Sequence, residues 1–504
     1  MPGDQLRAAL EALSILRPDP AWFTTTLAQL VSDAPPQALN DLADAGLIEA
    51  VHYESDDEKT DGNIRYTMHR VIAEYIRTKL PPQRLQTLNR RAADYYLEQL
   101  KQLEESYQND KATTYSVMYR YEDPEWQDCQ DNWLYYFAQT GYDTEASLSF
   151  LRVWFDGFWW WSCFTAEGFD FCDQLLLEWD HKLSLTANGV EQALPPAAQQ
   201  GGRLERLIQG LDLLRRFKHA YPKETEDRSG GSWPEVVTTL RTLRSQAKLD
   251  GDLAQLSNPN ARHVRALTDI FLAEAERFGG GDLAIAETCY REALALFRES
   301  KDDWNIAWML YHLADMLSTL GRRDEVRTLC AEALTFGHAG GDYEVIALIH
   351  RVLADCALAD QRIDEALRDY QLAVEHAYRF QVQPEDPDSY TIRFYSDMAQ
   401  RVAGRLLNAH ATLPDQAQQI AHALRQAWID CGVELAAAPN ESALLAGATV
   451  EQLARQLFPP TLPLERLKAD GATYANSVSG HLAAVERREA HRAVESRGLY
   501  EPHF

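Results

Sequence analysis

The chain has 504 residues and a formal net charge of −27, with 45 % hydrophobic and 10 % aromatic residues. This apolar content excludes wholesale disorder and is enough for several buried cores. A negative charge of this size repels phosphate backbones, so the molecule as a whole is a poor candidate for non-specific nucleic-acid binding. The seven cysteines are widely spaced and include no C-x-x-C pair, which favours reduced thiols over disulfides or a zinc site.

The sequence predicts neither a signal peptide nor a membrane-spanning segment. Residues 1–16 lack the basic start and long apolar run of a signal peptide. The most apolar stretch, Leu151–Phe164, is interrupted by Arg152 and Asp156 and is too short to span a bilayer. The sequence therefore predicts a soluble, cytoplasmic protein with no membrane partner.

Residues 1–82 are predicted to form a winged-helix-like domain. The predicted elements are helices near 5–16, near 21–31 and after Asp33, β-prone runs at 47–53 and 63–68, and a last helix over 69–80. Prolines at the start of the third helix and Gly46 at its end support its boundaries. Three helices followed by a hairpin and a further helix is the order of a winged helix.

The next two regions differ in composition. Residues 83–183 are rich in aromatic side chains at helical spacing and are predicted to form helical hairpins. Residues 184–260 contain Pro, Ala, Gln and Gly clusters and are predicted to be a linker with irregular helical segments. At the other end, residues 437–504 are predicted to be C-terminal helices and a tail.

An internal repeat organises residues 261–436. Ala286, Val326 and Ala366 are spaced 40 residues apart, and the same step recurs at two further sets of positions. These sets are Tyr290, Cys330 and Tyr370, and Ala293, Ala333 and Ala373. Each copy is predicted to be a helical hairpin whose apolar face must be covered by its neighbours. The predicted fold class is therefore mainly α, with an α-solenoid following the N-terminal unit.

These repeats resemble tetratricopeptide repeats of about 40 residues. The small residue of the first helix falls on Ala314 and Ala354, and the second-helix pattern falls on Ala366, Tyr370 and Ala373. The N-terminal unit is similar to the winged-helix domain of STAND ATPases, a class that contains apoptotic and plant immune NTPases and large bacterial regulators. Many bacterial members continue into tetratricopeptide repeats, so the resemblance implies the sensor portion of a STAND-type NTPase.

The chain departs from that class at the nucleotide site. The sequence contains no Gly-Lys pair, and hence no Walker A loop of the form G-x-x-x-x-G-K-[ST]. The family's Met-His-Asp motif, whose His approaches bound ADP, is matched by Met68, His69 and Arg70. The resemblance therefore implies a relative that lacks the nucleotide-binding domain. Whether the chain is a complete gene product or the C-terminal part of a larger NTPase stays open.

Binding to DNA through the winged-helix-like domain is disfavoured by charge. No Lys or Arg occurs between Pro35 and Ala50, and the segment Glu54–Asp61 holds five acids against Lys59. DNA readers place basic residues at both of these elements. We therefore expect DNA to be an unlikely partner.

Two surfaces are candidates for binding a protein partner. By the repeat register, the side chains predicted to face the inner wall of the superhelix are Glu274, Arg277, Trp308, Tyr311, Asp315, Arg351 and Asp355. The second candidate surface is formed by Trp159, Trp160, Trp161, Arg215 and Arg216. The alternatives are a solvated concave face for the first set, and core packing of the tryptophans with a solvated basic helix face for the second.

No catalytic signature is present: the sequence has no H-E-x-x-H and no G-x-S-x-G, and no metal-ligand spacing. We therefore expect a non-enzymatic scaffold or regulatory sensor that captures a partner protein, with no cofactor or metal. One alternative is a transcriptional or defence-signalling regulator acting with a separate STAND-type ATPase. Another is an enzyme whose site is assembled across residues 125–180. The oligomeric state stays open.

Overall fold

The structure is a computed structural model. It describes residues 3–18, 21–52, 64–109, 120–121, 123–140, 144–161, 171–177, 203–221, 232–250, 256–382, 389–430, 433–438 and 443–462. The predicted acidic segment at 54–61, the first part of the predicted linker region (184–202) and the part of the predicted tail beyond 462 lie outside the described residues. The chain divides into two compact units with a boundary between Thr268 and Asp269. The finer division into five regions stays a prediction.

The first unit begins with helices around a small sheet. Its elements are α1 (Gly3–Leu13), β1 (Phe23–Thr24), α2 (Thr25–Ser32), α3 (Pro36–Asp44), β2 (Glu49–His52), β3 (Ile64–Thr67), α4 (Arg70–Arg77), α5 (Pro82–Asn109), α6 (Pro124–Thr140), α7 (Thr144–Trp161), a helical segment at 171–177, α8 (Arg203–Ala220) and α9 (Trp233–Gln246). The strands form an antiparallel sheet of order β1-β3-β2. The predicted hairpin at 47–53 and 63–68 is therefore present.

The sheet is fixed to the helices by hydrogen bonds that cross long sequence distances. Thr67 Oγ1 donates to the carbonyl of Ala21 at 2.7 Å, and the Arg77 guanidinium donates to the carbonyls of Ser14 and Leu16. Buried carbonyls at the end of a helix need such partners, because water does not reach them. The element order is the one expected of a winged helix, and the winged-helix assignment stays a prediction.

An aromatic cluster forms the core of the rest of the first unit. Trp154 of α7 is fully buried. Its ring stacks on that of Phe158, with 5.2 Å between the ring centroids, and meets the ring of Phe217 of α8 edge-on, with 6.0 Å between the centroids. Its indole N–H donates to the carbonyl of Cys172 at 3.2 Å. The cluster therefore joins α7, the segment at 171–177 and α8 through one side chain.

From residue 259 onward the structure consists of helices packed in succession. They are α10 (Pro259–Phe278), α11 (Leu283–Ser300), α12 (Asp303–Thr319), α13 (Arg323–Gly340), α14 (Tyr343–Ala359), α15 (Ile363–Val382), α16 (Ser389–His410), α17 (Pro414–Asp430) and α18 (Val450–Leu457). The most extensive contacts join neighbours in sequence, as in a solenoid. The predicted mainly α fold with stacked helical hairpins is confirmed.

The 40-residue step is visible in the packing. The nine repeat positions in the second helices are all fully buried: Ala286, Val326, Ala366, Tyr290, Cys330, Tyr370, Ala293, Ala333 and Ala373. Ala314 and Ala354, the small residues of the first helices, are also 0 % exposed. A small side chain such as alanine lets two helix backbones approach closely, so the alanine positions allow close packing of the helices within each hairpin.

The same step is visible in the turns. Asp302 and Asp342 cap α12 and α14 by accepting hydrogen bonds from the backbone N–H three residues later, at 3.1 and 3.0 Å. The residues before them, Lys301 and Gly341, both adopt left-handed backbone, with φ of 56° and 68°. Successive hairpins therefore end and begin in the same way.

Candidate functional site

The first helices of the repeats are covered on nearly all sides. Every residue from Trp304 to Ala314 in α12 is buried. Four predicted inner-wall residues follow this pattern, with exposed fractions between 0 % and 8 %: Glu274, Trp308, Tyr311 and Arg351. Their predicted role in binding a partner stays a prediction, but these side chains are core residues of the second unit.

Four charged residues of the predicted inner wall form one continuous network with Arg405 across four helices, and we call this network the charge chain. Arg277 pairs with Asp315 at 2.5 Å, and Asp315 pairs through its other oxygen with Arg351 at 2.6 Å. Arg351 also reaches Asp355 at 3.2 Å, and Asp355 meets Arg405 of α16 at 3.3 Å. The structure therefore brings together four residues predicted from the register and adds Arg405, which sequence reasoning missed.

Electrostatics differ between the two carboxylates of the charge chain. Burial favours the neutral form of Asp315, but Arg351 and Arg277 outweigh it and hold the pKa of Asp315 well below its usual range. For Asp355, burial outweighs the pull of Arg351 and Arg405, and its pKa is raised. Asp315 is therefore the anion on which the network is centred.

Two tyrosine hydroxyl groups complete the surroundings of the charge chain. Tyr370 donates its hydroxyl hydrogen to Asp355 at 2.8 Å, and Tyr311 lies 3.4 Å from the Arg351 guanidinium. Tyr311 was predicted to line the inner wall, whereas Tyr370 was assigned only to packing. Burial raises the pKa of both phenols, so both are neutral hydrogen-bonding groups near neutral pH.

Trp308 has a specific polar partner. Its indole N–H donates to a carboxylate oxygen of Asp342 at 3.2 Å, while the other oxygen accepts from the Val345 amide. Burial raises the pKa of Asp342 to about 6, because its effect is larger than that of these hydrogen bonds, which lower the pKa. The stability of the second unit should therefore depend on pH in the mildly acidic range.

We expect Asp342→Asn to change how the stability of the second unit depends on pH. The folded pKa of Asp342 lies above its unfolded value, so its contribution to stability is complete below about pH 4 and is lost as pH rises through about 6. The free energy of unfolding of the unmodified chain minus that of the variant should therefore fall by about 2 kcal/mol between pH 4 and 7. Urea denaturation at several pH values measures this difference.

The matched control is Asp302→Asn, at the equivalent cap one repeat earlier. There the carboxylate accepts from the backbone N–H and the side-chain amide of Asn305 instead of from a tryptophan. The same change with pH in both variants would contradict the assignment to Asp342.

The residues of the second candidate surface differ in burial and in the neighbours that they contact. Trp159 is 5 % exposed, which fits core packing, while Trp160 is half-buried and the side chain of Trp161 lies outside the described residues. Arg216 pairs with Glu235 of α9 at 2.6 Å, and Arg215 approaches the carbonyl of Leu176 at 3.5 Å. The two arginines therefore contact different neighbours, and the role of this set in binding stays a prediction.

His69 lies at the start of α4. Its Nδ1 accepts a hydrogen bond from the Val71 amide at 3.3 Å, as an N-cap residue does. This local role accounts for a polar residue at the helix start.

Two searches of the described residues for special sites gave no result. No group of three or more His, Cys, Asp or Glu side chains in this part of the chain could hold a metal ion. Among the helices described, none combines the length and the apolar character needed to cross a membrane.

Comparison with known proteins gave one structural likeness. No protein-family model matches the sequence, and a search of curated proteins finds no match. Among solved structures, the chain is similar to a STAND protein (signal transduction ATPase with numerous domains) with a tetratricopeptide repeat sensor from Pyrococcus horikoshii. The identity is 13 % and the TM-score 0.41, and the alignment covers 85 % of this chain and 57 % of that one. The fold described above rests on this chain's own helices and repeat positions.

Proposed function

We propose that this chain is a non-enzymatic, cytoplasmic protein-binding scaffold or regulatory sensor that captures a partner protein on its stacked helical hairpins. The observation that carries the proposal is the packing of three successive hairpins in one 40-residue register. Stacked repeats build extended surfaces, and a surface held by a buried core loses little conformational entropy on binding.

A protein partner fits the charges better than DNA does. The described helix α3 and its flanks carry acids and no Lys or Arg between Pro35 and Ala50. Phosphate contacts supply much of the affinity of DNA readers, so this segment would be repelled.

The partner is proposed to bind where the charge chain reaches solvent. The Arg405 side chain is 50 % exposed although its guanidinium pairs with Asp355. At the other end of the charge chain, Phe278 is 38 % exposed. The guanidinium carbon of Arg277 lies over its ring, 4.8 Å from the ring centroid. Phenylalanine and arginine are both enriched at protein–protein interfaces relative to the rest of the surface.

The test is affinity purification with the full chain as bait, comparing the unmodified chain with Arg405→Ala and Phe278→Ala. A partner that binds here should be recovered about tenfold less with either variant, because an anchor residue contributes more than about 1.4 kcal/mol. The matched control is Arg298→Ala, which removes an exposed ion pair between α11 and Glu332.

Circular dichroism of each purified variant shows that the fold is kept. Equal recovery of the same partner by all four chains would contradict the proposed surface. Failure of the unmodified chain to retain any protein under native conditions would contradict the function.

A further inference from the structure

Three histidine rings from three successive helices meet where one repeat packs on the next. His376 of α15 lies parallel to His350 of α14, with 5.7 Å between the ring centroids and 5° between the ring planes. His338 of α13 meets His376 edge-on, with 6.0 Å between the centroids. We call these three residues the histidine cluster. Since α13 ends one hairpin and α14 and α15 form the next, the cluster lies at the joint between two hairpins.

The ring of His376 lies between two rings of α14. It stacks on Tyr343 as well as on His350, with 5.8 Å between the centroids of His376 and Tyr343. Tyr343 and His350 are seven residues apart, which is about 10.5 Å along a helix and leaves room for one ring. Between them on the same helix face is Ala347, a small residue with 0 % exposure. The imidazole of His376 therefore holds α15 against α14 at this point.

The histidine cluster runs from the surface into the core of the second unit. His338 is exposed, whereas the side chain of His350 is only 1 % exposed. At the buried end, Nδ1 of His350 lies 3.1 Å from one carboxylate oxygen of Asp369, and the other oxygen accepts from Arg368 at 3.2 Å. Solvent therefore reaches the cluster at His338, and the carboxylate at its buried end is already engaged.

A proton on His376 would find no compensating charge. Its Nδ1 is buried without a hydrogen-bond partner among the described residues. The neighbouring carboxylate, that of Glu375, is paired with Arg379 at 2.6 Å. Burial lowers the pKa of His376 well below its usual value, and His350, His338 and Arg379 lower this pKa further. The protonated imidazole is therefore disfavoured while the three helices stay packed.

The packing at this joint leaves little space for water. A Cβ placed at Gly337, next to His338, would lie only 3.0 Å from the side chain of Ile346 and 3.2 Å from that of Val345. α13 and α14 thus approach each other more closely than a residue with a side chain would permit. Because closely packed interiors yield little, water can solvate a new charge here only if helices separate.

We propose that the histidine cluster is a pH-sensitive joint, at which a proton taken up by His376 releases α15 from α13 and α14. The unfolded segment binds this proton below about pH 6.5, whereas the packed segment does not, so opening becomes more favourable as pH falls. Uptake of one proton raises the opening constant by up to about tenfold for each pH unit. This behaviour needs no partner protein, so it is separate from the function proposed above.

The experiment compares the full unmodified chain with His376→Phe, which keeps a flat ring at this position and takes up no proton. Hydrogen exchange of α15 peptides, measured by mass spectrometry and divided by the intrinsic rate at each pH, gives the opening constant. We expect the ratio of the two opening constants, unmodified chain over variant, to rise about eightfold from pH 7 to 5.5. Taking the ratio cancels the titration of groups that both chains share.

The matched control is Tyr343→Phe, which changes the other stacking partner of His376 but keeps all three imidazoles. The ratio of opening constants for the unmodified chain and this variant should stay constant with pH. If His376→Phe does not fold, His376→Gln removes the same titration. Nuclear magnetic resonance of ring-labelled histidines in the unmodified chain adds a direct measurement, and the resonance of His376 should stay that of a neutral imidazole at pH 5.5.

Three results would overturn the pH-sensitive joint. The first is a ratio for the His376 variant that does not change between pH 7 and 5.5. The second is an equal change with pH in the ratio for Tyr343→Phe, which would show that the imidazole of His376 is not the cause. The third is a protonated His376 at pH 5.5 in a chain whose α15 amides exchange as slowly as at pH 7.

Discussion

Replacing Asp315 with leucine is expected to lower the free energy of unfolding of the second unit by about 3–5 kcal/mol. Asp315 is the shared partner of Arg277 and Arg351, at 2.5 and 2.6 Å. The Arg351 side chain is only 5 % exposed, so after the substitution it would keep its charge with Asp355, at 3.2 Å, as its remaining acidic partner and without water to solvate it. Urea denaturation, combined with hydrogen exchange of the amides in α12 and α14, measures the loss.

The pH dependence of this loss has a definite sign. The folded pKa of Asp315 lies below its unfolded value, so the stability it contributes is present above about pH 4 and is lost as pH falls further. The difference between the unmodified chain and the leucine variant should therefore shrink in acid. This is opposite to the direction expected for Asp342→Asn.

The control is again Arg298→Ala, which removes an exposed ion pair and should change stability by no more than about 0.5 kcal/mol. Adding Arg351→Met to Asp315→Leu should restore part of the loss, because one of the two stranded charges is removed. Additive effects of the two substitutions would show that Asp315 and Arg351 do not interact in solution.

Much of the repeat architecture could be predicted because it depends on residue size at fixed spacing. Ala286, Val326 and Ala366 lie 40 residues apart in sequence and are all fully buried in the structure. A helix interface that requires a small residue at each copy leaves a pattern that needs no knowledge of distant contacts. The hairpin of β2 and β3 was equally accessible, since β-prone runs on either side of a loop are a local signal.

The state of the inner-wall residues could not be predicted from the register alone. The register places Trp308 and Tyr311 on a first helix, but whether other helices cover that helix depends on the tertiary packing, which the register does not specify. A signal was nonetheless present, because α12 has apolar residues on every face, which is typical of a helix buried all round.

The ion pairs were beyond sequence reasoning for a different reason. Asp315 lies 38 residues from Arg277 and 36 from Arg351. With 49 basic and 76 acidic residues in the chain, sequence offers too many pairings to select these.

The aromatic cluster of the first unit leads to the other large expected effect. Trp154→Ala should lower the free energy of unfolding of the first unit by about 3–5 kcal/mol. The side chain is 0 % exposed and contacts Phe155, Phe158 and Phe217, so its removal leaves a large cavity that these rings cannot fill. The substitution also removes the indole N–H that donates to the carbonyl of Cys172 at 3.2 Å, so this carbonyl loses its hydrogen bond to Trp154.

Guanidinium denaturation followed by near-ultraviolet circular dichroism, which reports on packed aromatic rings, measures this loss. The matched control is Trp160→Ala, six residues along the same helix, where the side chain is half-buried and should cost clearly less. Trp154→Phe separates the two contributions, because it keeps most of the ring contacts and loses the hydrogen bond to Cys172. Equal losses for Trp154→Ala and Trp160→Ala would show that α7 does not present Trp154 to the core of the first unit.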